Sequence, residues 1–515
     1  MPTDALPEAT LATPFRRLGL VGTGAMGRGI AQLAAQAGLE VMLHDARTGA
    51  VDEAREFITG VWSRGVAKGR LSEDDLAHYR SRLHEASDLA DLAGCDVVVE
   101  AIVENLEAKQ GLFTRLEAIL DDDAVFATNT SSLSVTAIAA ACRVPQRVIG
   151  FHFFNPVPLM KIVEVIPGLR TAPEIVDRVV ALGQAMGHFT ARATDTPGFL
   201  VNHAGRAFGT EALRILGERV ADHITIDRIL VDQGGFRMGP FTLLDLTGLD
   251  VSHAVMESIY HQYYEEPRFR PSPLTRSRLA AGLLGRKSGE GFYRYEDGKA
   301  MMAEESAPPT TVPLPVWISH EDPETHQALS ALVSAAGWPL DSSDMPSDES
   351  LCLLTPLGED TTECALRHGL DPCRCVAIDM LAGLDRRRSL MTTPATEARY
   401  RDAAWALLGD DGTPVSPLRD SNGFVLQRVV ACIVNVGADI AQQGVADPET
   451  LDRAVELGLG YPRGPLAMGD HYGGRRILTI LNHLFTATRD PRYRPSPWLR
   501  RRAVLGLPLA TTELN

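Results

Sequence analysis

The stretch LGLVGTGAMGRGIAQLAAQAG, Leu18 to Gly38, decides the fold. An apolar, β-rich run ends at Val21, glycines follow at 22, 24 and 27, and from Ala25 the pattern becomes that of a helix rich in small residues. Glycines in this context permit a tight turn and let a pyrophosphate approach backbone N–H groups at a helix N-terminus. Gly22, Gly24, Ala25, Met26 and Gly27 are therefore candidate cofactor-binding positions. Asp45 closes the next strand-like run, EVMLHD, 21 residues beyond Gly24, where a carboxylate accepts hydrogen bonds from the adenosine ribose and repels a 2′-phosphate. The pattern predicts NAD, with Arg47 the one feature that would admit NADP.

Outward from this fingerprint, residues 16–153 alternate short β-rich runs (RRLGLVG, EVMLHD, DVVVEA, AVFATN, RVIGFHF) with amphipathic helical stretches, the pattern of a doubly wound α/β sheet of Rossmann type. About fifty residues separate EVMLHD from DVVVEA and read as two helices, the second opening with a capping box at Ser72 and Asp75. After Thr196-Pro197-Gly198 the chain reads as helical to about residue 285, interrupted at GGFRMGP.

That helical segment then recurs. DTPGFLVN (195–202) matches DSNGFVLQ (420–427), RMGPFTLLD (237–245) matches PRGPLAMGD (462–470), and EPRFRPSP (266–273) matches DPRYRPSP (490–497), at offsets of 225, 225 and 224. Three matches in order indicate an internal duplication. The expected organisation is a NAD-binding α/β domain at 1–193, an all-α domain at 194–295, a degenerate α/β segment at 296–413 and a second helical copy at 414–515. The third segment contains no GxGxxG, and its strand-like run CRCVAIDM lacks the His of RVIGFHF, so a structural role is expected of it.

With 515 residues, 45% hydrophobic and 23% charged, the chain has the composition of a multidomain globular protein, and no run of 18 apolar residues points to a membrane. The first seventeen residues fit neither a secretory nor a mitochondrial signal, so a cytoplasmic location is expected. A net charge of −16 argues against nucleic-acid partners. Seven cysteines with only one close pair, a CxC at Cys373 and Cys375, read as reduced thiols; no metal site is expected.

The chemistry concentrates between Asn129 and Glu164. His152 ends the last strand predicted for the α/β domain, at the sheet edge where such folds bind ligands, although a His flanked by Phe151, Phe153 and Phe154 is also what a core position looks like. Glu164 lies inside the apolar run KIVEVI, where a carboxylate needs a partner, and an imidazole would serve. Ser131 could bond a reacting hydroxyl, yet NTSS is equally a strand-to-helix cap with Ser132 or Ser134 as N-cap. WSRGVAKGR carries Arg64, Lys68 and Arg70 with no acid among them, either a phosphate-binding patch or a solvated helix face.

Taken together, GxGxMGxGIA at Gly22–Ala31, VVEAIxENLxxK at Val98–Lys109, NTSSL from Asn129, the His152–Val165 run, DTPGFxVN ending at Asn202, Met238–Asp245 and Gly285–Tyr293 resemble the L-3-hydroxyacyl-CoA dehydrogenases. The resemblance implies oxidation of an acyl-CoA substrate with His152 as general base, Glu164 orienting it, and Ser131 and Asn202 on the substrate oxygens. It places cofactor contacts on Asp45, Glu104, Lys109, Ser131, Asn155 and Lys287 and a coenzyme A contact on Lys68, while Val61 stands where the family has a serine. Glu104 with Lys109 also fits an exposed helical pair, and Lys287 a surface turn. No crotonase-like or thiolase-like region flanks the matches, so a stand-alone dehydrogenase is expected.

The doubled helical region is similar to that of the 3-hydroxyadipyl-CoA dehydrogenases of phenylacetate degradation. A 3-hydroxybutyryl-CoA enzyme, a lambda-crystallin-like hydroxy-acid dehydrogenase and a non-catalytic NAD-binding protein are the alternatives. The shorter relatives dimerise through their helical domain, so the second copy is expected to form an intramolecular pseudo-dimer with the first, with further homo-oligomerisation left open.

Overall fold

The computed structural model describes residues 13–513, so most of the acidic lead-in lies outside the described residues. Two compact units are present, one of residues 13–203 with 444–459 and one of residues 204–443 with 460–513. The four sequence segments are thus distributed over two units, and the stretch 444–459 of the second helical copy belongs to the first.

The first unit is built on eight strands: β1 (Arg17–Val21), β2 (Glu40–His44), β3 (Leu83–Glu85), β4 (Val97–Glu100), β5 (Val125–Thr128), β6 (Val148–Phe153), β7 (Ile162–Pro167) and β8 (Phe189–Arg192). They lie in the order β3-β2-β1-β4-β5-β6-β7-β8, every neighbouring pair parallel except β6 with β7. Residues such as Leu18, Leu20, Val97, Val99, Val125 and Ile149 are fully buried, which is why these strands read as continuous apolar runs. The connection reverses direction between β1 and β4, leaving a crevice at the C-terminal strand ends beside the glycine turn. Helices Ala50–Ala67 and Glu73–Ser81 occupy the long stretch after β2, and Ser72 and Asp75 form the expected capping box. The sheet extends past the sequence reading at both edges: β3 (LHE) and β8 (FTAR) are too short and polar to show periodicity. His152 is therefore not on the last strand, since β7 and β8 lie beyond it.

The second unit holds most of the first helical segment, a small hairpin of β9 (Tyr295–Glu296) and β10 (Lys299–Ala300), a second sheet, and most of the second helical segment. That sheet has five strands, β11 (Val316–Ile318), β12 (Leu351–Leu354), β13 (Cys375–Ile378), β14 (Arg388–Thr392) and β15 (Val415–Arg419), in sequence order, with only β13 and β14 antiparallel. Order and direction reproduce β4 to β8. The half corresponding to β1–β3, which carries the glycine turn and Asp45, has no counterpart in this sheet. Even the capping is kept: Asp195 accepts from Ser134 Oγ and the N–H groups of Val135 and Thr136, and Asp420, 225 residues on, accepts from the N–H groups of Thr361 and Thr362.

Within this unit the helices Arg206–Gly217 and Val425–Gln442, one from each copy, pack on each other. The paired Pro-Arg turns act reciprocally: Arg268 meets Asp439 at 3.2 Å, and Arg492 meets Glu211 at 3.4 Å. Buried Glu211 also accepts from Arg428 Nε and Tyr493 Oη, each at 2.8 Å. Val425–Gln442 has the length and apolarity of a membrane span, but 89% of it is buried among the other helices as the core of the bundle. All seven cysteines are free thiols, and six are buried.

Candidate active site

The glycine turn has the geometry its sequence demands. Gly22 has φ +95°, and a Cβ there would stand 2.6 Å from the Ala101 carbonyl oxygen; at Gly27 it would stand 1.9 Å from that of Gly22. Gly24 faces open space, and the helix Ala25–Gln36 begins there without a side-chain cap, so its first N–H groups are available to an anion. Beside the turn a groove of about 590 Å³ is lined by Gly22, Gly24, Asp45, Ile102 and Val103.

Asp45 Oδ2 accepts from the N–H and hydroxyl of Thr23 at 2.8 and 2.9 Å, and Oδ1 from the Arg47 N–H at 2.9 Å. Partial burial raises this carboxyl, but those hydrogen bonds outweigh it and hold it below the usual range. Arg47 is held by Glu53 through two bonds of 2.8 and 2.6 Å, so its guanidinium already has an anionic partner. These residues fit a dinucleotide without a 2′-phosphate.

Under the next loop lies a chain of charges in which Glu100 and Lys109 are buried and Glu104 reaches the surface. The ammonium of Lys109, 1% exposed, sits 2.7 Å from Glu100 and 3.2 Å from Glu104, correcting the exposed-pair reading. Glu104 Oε1 accepts from Thr130 Oγ1 and from the N–H groups of Ser131 and Ser132 at 2.7 to 2.9 Å. Burial raises the Glu104 carboxyl, but Lys109 and these donors bring it down to about 2. The cap of helix Val135–Ala139 is Ser134, which leaves Ser131 at the mouth of the loop with its Oγ 3.2 Å from Glu104. Glu100 was missed in the sequence, although a carboxylate ending the run VVV carries the same signal as Glu164.

His152 and Glu164 face each other in the register of β6 and β7. Nδ1 of His152 is 2.6 Å from Glu164 Oε2, and Glu164 Oε1 accepts from the N–H groups of Leu200 and Val201 at 3.0 and 2.8 Å. Both side chains are buried, the imidazole against Phe154 and Phe199, and no described residue hydrogen-bonds Nε2. With the carboxylate accepting, the Nδ1 proton is fixed and Nε2 presents a lone pair. Asn202 follows Val201 in the same short helix, so Glu164 ties the turn bearing Asn202 to the histidine.

The basic residues of WSRGVAKGR line a different groove, of about 690 Å³, where Arg64, Lys68 and Arg70 are joined by Lys161. None of the four has an ion-pair partner among the described residues. Asn155 is exposed beyond β6, and Val61 is on the groove wall. Lys287 lies in the second unit on an exposed turn, paired with Asp250, and the surrounding motif is chiefly architectural: Asp245 accepts from the N–H groups of Phe292 and Tyr293.

The second sheet carries the remnant of an equivalent centre. By strand register Asp379 stands where His152 does and Ser389 where Glu164 does, and Gln427 takes the place of Asn202. The Gln427 amide donates to Asp379 at 3.0 Å. Full burial pushes the Asp379 carboxyl up to about 6, against hydrogen bonds from the Leu381 N–H and Gln427. A pKa above the unfolded value of 3.8 means that folding favours the protonated form, so stability falls as pH rises from about 4 to 6 and stays lower above that. Asp379→Asn is expected to stabilise the second unit by on the order of 3 kcal/mol at pH 8 and by little at pH 3.5, as urea titrations at both pH values would show.

The sequence matches a model of the 3-hydroxyacyl-CoA dehydrogenase NAD binding domain over residues 17–196, and the C-terminal domain of the same enzymes over both 198–295 and 423–511. It is 36% identical to a 3-hydroxyadipyl-CoA dehydrogenase of Escherichia coli K12 over 94% of this chain and 97% of that protein. The chain belongs to the 3-hydroxyacyl-CoA dehydrogenase family. A 3-hydroxybutyryl-CoA dehydrogenase of Bradyrhizobium diazoefficiens is 37% identical, over 56% of this chain and 98% of its own length. Among solved structures, a 3-hydroxybutyryl-CoA dehydrogenase from E. coli K12 superposes with a TM-score of 0.82 at 34% identity, covering 95% of this chain and 98% of that one. The protein is accordingly an NAD-dependent 3-hydroxyacyl-CoA dehydrogenase.

Proposed function

We propose that this dehydrogenase oxidises 3-hydroxyadipyl-CoA, as in phenylacetate degradation, at the His152 centre of the first unit. The observation that carries the site is the 2.6 Å bond from His152 Nδ1 to Glu164, which leaves Nε2 as a base. Nε2 takes the proton of the 3-hydroxyl, and the Glu164 carboxylate stabilises the imidazolium that forms. Ser131 and Asn202 orient the substrate oxygens. NAD, when bound, accepts the hydride from C3, so the product is a 3-ketoacyl-CoA. Gly22, Gly24, Ala25, Met26, Gly27 and Asp45 would hold the dinucleotide, and Glu104, Lys109, Ser131 and Asn155 are proposed as its further contacts.

The cationic groove supports coenzyme A as the handle, because its phosphates need positive charge that no local carboxylate neutralises. The adipyl chain is taken from the relative of that name, which aligns over 94% of this chain; a solved relative covering 95% of it carries the butyryl name, so length does not choose between the two and kinetics must. Kinetics with 3-hydroxyadipyl-CoA and 3-hydroxybutyryl-CoA test this, with higher kcat/KM expected for the dicarboxylic substrate; a preference for the butyryl chain would sink the assignment. Val61 in place of the family's serine favours one second reading, a dehydrogenase of free hydroxy acids. Lys68→Ala separates the two: the coenzyme A reading expects a several-fold rise in KM for the acyl-CoA with kcat little changed, the free-acid reading no effect.

A further inference from the structure

The helix Pro448–Leu459 lies in the second copy by sequence, yet it belongs to the first compact unit and packs against β7 and β8. Its entry is tied down by a bond of 3.0 Å from the Thr194 N–H to the Val445 carbonyl. The second unit holds the mirror arrangement, Arg419 N–H to Val220 carbonyl at 3.1 Å, with both residue numbers shifted by 225. Each helical copy thus lends one segment to the other copy's sheet.

The two loans end differently. In the second unit Gln233 reaches the remnant centre, accepting from Ser389 Oγ at 3.1 Å. At the equivalent place in the first unit, again offset by 225, stands Gly458. A Cβ on Gly458 would be 2.8 Å from Val201 Cγ1 and 3.2 Å from Cγ2, and Val201 is fully buried with the stiff side chain of a β-branched residue. A glycine within a helix costs about 1 kcal/mol relative to alanine, so its presence here marks a close approach rather than helix stability. The N–H of that same Val201 holds Glu164, and Glu164 holds His152.

We propose that the helix Pro448–Leu459 is a positioning element for the active centre of the first copy, and that Gly458 sets the placement of the Val201 N–H against Glu164. The second copy then supplies a part of the catalytic support, and its role is wider than that of a scaffold. The proposal rests on the reading of His152 and Glu164 as base and orienting carboxylate.

The test is a double-mutant cycle of Gly458→Ala and Val201→Ala in the full-length protein. Gly458→Ala is expected to lower kcat by about ten- to a hundred-fold, the scale of a sub-ångström to 1 Å misplacement, with KM for NAD unchanged. Removing the opposing methyls should restore it, so that the double variant turns over within about threefold of Val201→Ala alone. In parallel, imidazole 15N shifts read the His152 tautomer without substrate: Nδ1–H in the parent, mixed in Gly458→Ala, Nδ1–H again in the double variant. Wild-type kcat in Gly458→Ala, or a double variant no better than that single one, overturns the proposal. A parent protein with the Nδ1–H tautomer but no turnover of acyl-CoA would instead count against the functional reading, while the tautomer series still judges the helix.

Discussion

His152→Ala is expected to lower kcat by roughly 10²- to 10⁴-fold, the range a positioned general base contributes, while NAD affinity stays nearly unchanged. The separation follows from the fold: the glycine turn and Asp45 lie at the ends of β1 and β2, whereas His152 lies on β6. Stopped-flow hydride transfer and fluorescence titration with NADH measure the two quantities independently. Loss of NADH binding together with turnover would show instead that His152 is needed for the architecture of the crevice.

Glu164→Gln sharpens the same expectation, because it removes one charge and no volume. Oε1 of Glu164 accepts two N–H groups, from Leu200 and Val201, so the oxygen of a substituting amide must occupy that side and its NH₂ must face His152. Nδ1 then becomes the acceptor, the proton moves to Nε2, and the base is lost with the ring still in place. A loss of kcat comparable to that of His152→Ala is the expected result. A variant retaining near-parental kcat would show that the carboxylate does not set the tautomer.

Lys109→Ala is expected to destabilise the first unit by about 3–5 kcal/mol, because it leaves Glu100, 0% exposed, as a buried charge with its counter-ion gone. Glu104, whose Oε1 draws the Ser131 and Ser132 N–H groups together, would lose the same counter-ion. Turnover should fall along with stability. The double substitution Lys109→Met with Glu100→Gln removes both charges and is expected to recover much of the stability. Thermal melts of the two variants check the point: a single variant as stable as the parent would mean that water reaches Glu100.

Much of the site was legible in the sequence because single residues had no comfortable alternative. A glycine at 22, 24 and 27 after an apolar strand, an acid 21 residues on, and a carboxylate inside KIVEVI each imply a ligand or a partner. The pairing of His152 with Glu164 was legible because a carboxylate inside an apolar run needs a partner, and the register of β6 and β7 sets the two residues opposite each other. Other parts were hidden. Lys109 and Glu104 are spaced like a surface pair, and only the loop folded above them buries the ammonium. Lys161 joins the cationic groove from beyond β6, more than ninety residues after Lys68.

By itself, then, the sequence determined a glycine-turn α/β unit, its cofactor class, the partnering of His152 with Glu164 and the recurrence of a helical segment, since each is written in local residue chemistry or in direct self-similarity. Only the tertiary structure decided what the degenerate segment is. It retains β4 to β8 of the first sheet in order and direction while lacking the half that carries the glycine turn, a relation of topology that survives when side chains have changed. The tertiary structure also decided that residues 444–459 join the unit of the opposite copy. Burial and long-range packing choose between such partners, and two sequence copies with similar apolar faces carry no mark of which sheet each will cover.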